Sequence, residues 1–158
     1  METELRLIPN TEKPWCHEHN VVCAIARFLM KNSWLIKSVA HTESREAGDD
    51  IRAERDGQIL IVEAKGYPSE TYERGPSKGS KKRTAPSTQA RHWLGEVIFT
   101  AMLRQNANPE AKVAIALPYK QVYLNLLDRL EVSLKKLGIS TIIVREEDNE
   151  VIFLDGSS

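Results

Sequence analysis

Two strand-like runs joined by Asp56-Gly57, residues 51–66 (IRAERDGQILIVEAKG), constrain this chain more than any other stretch of it. Asp-Gly between such runs is the strongest short-range hairpin signal, because the favoured two-residue turn needs positive φ at both central positions. The turn also sets the register. If Arg55 faces Gln58, then Asp50 faces Glu63 across the ladder, and their side chains share one face. Ile51 with Val62 and Ala53 with Leu60 fall on the opposite face and are wholly apolar. A slip of one residue would mix the acids with the apolar set, so the pattern specifies its own register.

Directly opposed like charges are destabilising. Two carboxylates at that separation suit a hard divalent cation such as Mg²⁺, which relieves their repulsion. Lys65 lies two residues beyond Glu63 and projects from the same face. An ammonium there can orient a water and offset charge developing on a phosphate. By the same alternation Asp49 meets Ala64 and points away. The bland alternative is a solvated hairpin face on which Asp50, Arg52, Glu54, Glu63 and Lys65 merely alternate in sign.

The remaining chain reads as one α/β domain over residues 1–158. Apolar residues at helical spacing predict a helix from Trp15 to Lys31, with Asn10 or Thr11 and then Pro14 as its lead-in. Residues 34–40 read as a strand. Ser87 is placed to cap a second helix running to Asn106, with Ala90, Trp93, Leu94, Val97 and Ala101 inward. Residues 112–117 form a short buried strand. Tyr119 to Leu137 reads as a third helix, with Leu126, Leu130, Leu134 and Leu137 in register and Gly138 as its stop. Two closing strands flank a turn at Asp148-Asn149. The order α-β-β-β-α-β-α-β-β implies a mixed sheet between helices.

Gly48-Asp49-Asp50-Ile51, a turn, and then the run ending Glu63-Ala64-Lys65-Gly66 resemble the PD-(D/E)XK restriction-endonuclease-like nucleases over residues 15–117. Gly48-Asp49 stands where that family often has a proline. The resemblance implies a restriction-endonuclease-like three-layer domain. It also implies Mg²⁺-dependent hydrolysis of phosphodiester bonds, with Mn²⁺ able to substitute and DNA rather than RNA as substrate. The metal ligands would be Asp50, Glu63 and the Ala64 carbonyl, and Lys65 would assist the water. Glu18 interrupts the apolar stripe of the first helix. It is either an acid favourably placed in a first helical turn or the accessory acid that several such nucleases carry. Gln89, four residues before Trp93, matches the glutamine-plus-aromatic signature that follows the catalytic Lys in the same family, although each residue alone has an ordinary structural reading.

With 22 basic and 22 acidic residues, net charge names no partner, so a nucleic-acid enzyme needs a local basic patch. The long loop at residues 66–86 supplies one in Arg74, Lys78, Lys81, Lys82 and Arg83, with Arg91 just beyond. Such a loop either tracks phosphates or is simply solvated and disordered. A homodimer would suit double-strand cutting. Cys16 and Cys23 are about 10 Å apart along one helix, too far for a disulfide. Cys16, His19 and Cys23 on that straight helix cannot all reach one zinc, and His41 and His92 suggest no partner. No signal-like start or membrane-length run is present, so the expected location is cytoplasmic. Two alternatives to the enzyme fit the sequence less well. A non-cutting nucleic-acid-binding or assembly module of the same fold would be expected to have lost Asp50, Glu63 or Lys65. A two-carboxylate glycosidase explains neither Lys65 nor the basic loop.

Overall fold

The computed structural model describes residues 7–40 and 48–154. Helix α1 (Glu18–Lys31) leads into strands β1 (Leu35–Val39), β2 (Ile51–Arg55) and β3 (Gln58–Ala64). Next come α2 (Pro86–Ala107), β4 (Lys112–Pro118), α3 (Gln121–Leu137), β5 (Ile139–Val144) and β6 (Val151–Phe153). The six strands lie in chain order in one sheet. Pairing is antiparallel from β1 to β3, parallel from β3 to β5 through α2 and α3, and antiparallel again at β6. The result is the expected mixed sheet between helices, in three layers. His41, and residues 1–6 and 155–158 at the ends of the expected domain, lie outside the described residues. No helix among the described residues is long and apolar enough to cross a membrane.

The hairpin has the register expected from its turn: Arg55 pairs with Gln58, Ala53 with Leu60 and Ile51 with Val62. Asp56 and Gly57 both have positive φ, at 52° and 77°, as a primed turn requires. Both faces of the sheet are covered. Ile51, Ala53, Leu60 and Val62 pack with Val21, Val22, Ile25 and Leu29 of α1. Ile61, Val113, Ile115 and Leu117 pack on the other face with Ala90, Leu94 and Val97 of α2 and with Tyr123 and Leu127 of α3. The face bearing Glu63 is therefore not solvated; its acid sits at the margin of a second core.

The helix starts differ from those read in the sequence. Helix α1 begins at Glu18, and its N-cap is His17, whose Nδ1 accepts from the His19 amide at 3.3 Å. Asn10 is bound to the Asn20 side chain, which also donates to the Pro14 carbonyl, so the lead-in folds against α1 without extending it. Helix α2 starts at Pro86 with Ala85 as its N-cap, and Ser87 makes no cap. Proline at the first helical position is pre-set in φ and lacks an N–H that would be unpaired there. On α3 the buried residues are Tyr123, Leu127 and Leu134. Leu126 and Leu130 are only partly covered and Leu137 is exposed, because the helix presents the Tyr123 side to the sheet. Gly138 ends it in the left-handed conformation, as expected. Cys16 and Cys23 are buried and are not joined in a disulfide. His19 Nε2 lies 2.9 Å from the Ile8 carbonyl and 3.5 Å from Cys23 Sγ, within the packing of α1.

Candidate active site

The ladder between β2 and β3 stops at Ile51 and Val62, and the site is built where it stops. The next hydrogen-bonded pair would join residue 49 to Ala64. Instead the Asp50 carboxylate takes the Ala64 amide, at 2.7 Å from Oδ2. The Asp50 side chain thus stands where a backbone ladder bond would otherwise be. Asp50 and Glu63 are close enough for each to shift the other's titration. Burial raises the Asp50 pKa, against the pull of the Ala64 amide, the bond with Glu63 and the charges of Lys65 and Arg104. Burial likewise pushes Glu63 up to about 7, and the Asp50 charge adds to it, while Arg104 pulls it back. Two buried acids this close resist ionising together.

Asp49 does not point away, which corrects the expectation drawn from strand alternation. Its carboxylate accepts from Arg52 Nε at 2.7 Å and lies 3.1 Å from Arg104 Nε. The alternation fails because residue 49 precedes the first residue of β2, after Gly48 at φ 128°. Arg104 was not singled out in the sequence. Its Nε donates to Glu63 Oε1 at 2.7 Å and a terminal nitrogen donates to the Gly48 carbonyl at 2.7 Å. It thus ties α2 to the acids and to the segment before β2. A signal was present: Arg104 continues the buried stripe Ala90, Leu94, Val97, Ala101 at helical spacing, where a charge needs a partner.

Lys65 Nζ lies 3.3 Å from Glu96 Oε1 and 5.9 Å from the centre of the Trp93 ring. Trp93 is therefore a half-buried wall of the site and not a core residue. Glu96, also missed, follows Gln89 and Trp93 on one stripe of α2. Glu18 reaches the site from the opposite layer. Burial raises its pKa to about 7; the Lys65 charge lowers it, and Asp50 and Glu96 raise it. The close approach of the two layers depends on Gly66. A Cβ there would sit 2.5 Å from the Glu18 amide nitrogen and 2.7 Å from the Cys16 carbonyl. Flanking bonds hold the crossing, with Tyr67 N donating to Cys16 O at 2.9 Å and Tyr123 Oη to Gly66 O at 2.7 Å.

Residues 66–85 contain no helix or named strand, but they are ordered by their own bonds, and Pro86, the last residue of the expected loop, opens α2. Thr71 and Lys81 form an isolated antiparallel bridge, and Tyr72 exchanges backbone bonds with Ser80 and Gly79. The segment is an arm folded back on itself. Of its cations, Arg74 and Lys82 line a groove of about 570 Å³ that also receives Glu18, Tyr72, Gln89 and Trp93. Lys82 Nζ donates to Gln89 Oε1 at 3.2 Å. Lys78, Lys81, Arg83 and Arg91 are exposed and do not line it.

Among the described residues no three His, Cys, Asp or Glu side chains are grouped to hold a metal. The oxygens that could hold an ion here are the Asp50 and Glu63 carboxylates and the Ala64 carbonyl. All three are hard oxygens, and Mg²⁺ is commonly held by one or two carboxylates with waters completing its shell. The residues present fit that ion.

No family model matches the chain, and no curated protein matches it in sequence. Among solved structures it is similar to an XisH family protein from Nostoc punctiforme PCC 73102. The TM-score is 0.50 at 18% identity, over 84% of this chain and 95% of that one. A fdxN element excision controlling factor protein from Anabaena variabilis gives 0.49 at 19% identity, over 83% and 95%. The first likeness is one of fold.

Proposed function

We propose that this protein is a Mg²⁺-dependent nuclease that hydrolyses phosphodiester bonds in DNA. The observation that supports it best is the convergence of Asp50 and Glu63, with Lys65, where the β2–β3 ladder ends. A buried pair of acids is a standing cost to the fold. A divalent cation held by Asp50, Glu63 and the Ala64 carbonyl would remove that cost, lower the pKa of a bound water and neutralise phosphate charge. Lys65 is held by Glu96 beside the pair and serves to hold the attacking water and the phosphoryl oxygens. Water adds to phosphorus, the bridging P–O bond breaks, and the departing oxygen takes up a proton. Glu18 is an accessory acid at the edge of the site, and Gln89 is held by Lys82 to meet the substrate backbone.

A second reading rests on Arg104. Its guanidinium already offsets the Glu63 charge from 2.7 Å, as it would in a module of the same fold that binds nucleic acid without cutting. Incubation with linear, circular and single-stranded DNA, with and without Mg²⁺, separates the two. Metal-dependent cleavage supports the nuclease. Binding to DNA with no cleavage under any divalent cation supports the module.

A further inference from the structure

The groove beside the catalytic group has a lining that the chemistry of hydrolysis does not require. Asp50, Glu63 and Lys65 need only a phosphate and a water. The adjoining cavity, about 570 Å³, also presents Tyr72 and Trp93 together with Arg74, Lys82 and Gln89. We infer that this groove is a subsite for one unpaired nucleotide, with its base on Tyr72 and Trp93 and its phosphate on Arg74 and Lys82. The substrate would accordingly be a single strand or an unpaired end. The inference rests on the nuclease reading of the neighbouring site.

Three observations support it. Aromatic side chains reach nucleobases only when these are unstacked, and they take any base because every base has a π-face. Duplex backbone is instead met by cations and amides alone. Second, the aromatic residues differ in availability. Tyr67 is engaged by a cation and a ring, with Lys120 Nζ 5.1 Å above it and the Tyr123 ring 5.7 Å away in an edge arrangement, whereas Trp93 has Lys65 Nζ at 5.9 Å. Tyr72 is 37% exposed on the arm, and Trp93 is half-buried beside Lys65. A base on Trp93 would thus bring its own phosphodiester to the catalytic group. Third, the charge arrangement suits a phosphate. The carboxylate of Glu73, also in the lining, lies 3.9 Å from Lys13 Nζ, which offsets its charge. The volume fits one small ligand and not a length of duplex.

The test is binding in EDTA, where no cleavage occurs, using a fluorescein-labelled ten-nucleotide oligo-dT strand, a blunt duplex of the same length and a duplex with a single-stranded overhang. The single strand and the overhang should bind at least about tenfold more tightly than the blunt duplex. Tyr72→Ala and Trp93→Ala should each weaken single-strand binding by roughly 5- to 150-fold, the range seen for loss of a stacking platform. Trp93→Phe should retain most of it, which separates stacking from a folding defect. Equal affinity for blunt duplex and single strand, or no effect of Tyr72→Ala, overturns the subsite. If the subsite fails while Mg²⁺-dependent cleavage of duplex DNA persists, the nuclease reading stands alone. Tight single-strand binding without cleavage would leave the subsite and remove the enzyme.

Discussion

Replacing Glu63 by Gln should stabilise the metal-free protein, and the gain should grow with pH. In the fold this carboxyl is raised from 4.5 to about 7, first by burial and then by the Asp50 charge. A carboxyl raised on folding binds more protons in the native state than in the unfolded chain. Stability is therefore fully present below about pH 4.5 and is lost as pH rises to about 7, the reverse of an ordinary salt-bridged acid. At about 1.4 kcal/mol per unit, the ionised group costs the metal-free fold roughly 3 kcal/mol above pH 7. Glutamine matches the shape, and its carbonyl oxygen can still accept from Arg104 Nε, now 2.7 Å from Oε1. Its amide can donate to Asp50. Urea unfolding in EDTA, followed by tryptophan fluorescence, should show wild type and variant close together at pH 4. By pH 8 the variant should lead by about 3 kcal/mol, or roughly 6–12 °C in Tm for a chain of this size. Adding Mg²⁺ at 100 times its Kd should return about 2.7 kcal/mol to the wild type and much less to the variant. A gap that does not widen with pH would refute the claim that Glu63 ionises against burial and Asp50. A gap that Mg²⁺ leaves untouched would refute the pair as an ion site.

Asp50→Ala should abolish Mg²⁺-dependent cleavage while leaving the cooperative unfolding transition in place, since it removes one of two opposed acids; cleavage near the wild-type rate would exclude Asp50 as a ligand. Gly66→Ala should destabilise by about 2 kcal/mol or more, because backbone atoms of Cys16 and Glu18 lie within 2.7 Å of the new Cβ and cannot yield as a flexible side chain would; thermal unfolding checks this, and a neutral result would mean that the layers do not cross so closely. Neutralising Lys78, Lys81, Lys82 and Arg83 together should flatten the salt dependence of DNA binding by roughly 0.7–0.9 in log–log slope per lost phosphate contact. An unchanged slope in binding titrations would move the nucleic-acid surface away from the arm.

What the sequence made legible divides by the range of the interaction. The hairpin register follows from two adjacent turn residues and an alternating pattern, all within sixteen residues, so it can be read without knowing what packs on it. Asp49 was misplaced by carrying that alternation one step past the residue at which the ladder ends. The break comes from the Asp50 side chain capturing the Ala64 amide, a choice that only the folded geometry makes. The N-caps at His17 and Ala85 were missed for a related reason. Several nearby residues could begin either helix, and Gly66 crossing at Cys16 and Glu18 restricts where α1 can start. Arg104 and Glu96 lie 41 and 31 residues from the groups they bind. No local pattern joins such pairs, yet both sit on stripes of α2 that were visible in the sequence. Gln89, Trp93 and Glu96 form one stripe toward Lys65 and the groove. Ala90, Leu94, Val97, Ala101 and Arg104 form the neighbouring one over the sheet. A 22-residue helix crossing the end of β3 presents both stripes to the acids' side of the sheet. The charge that breaks an otherwise apolar stripe should therefore have been read as a partner for the buried acid, because a cation at a core-facing position is retained only where an anion meets it.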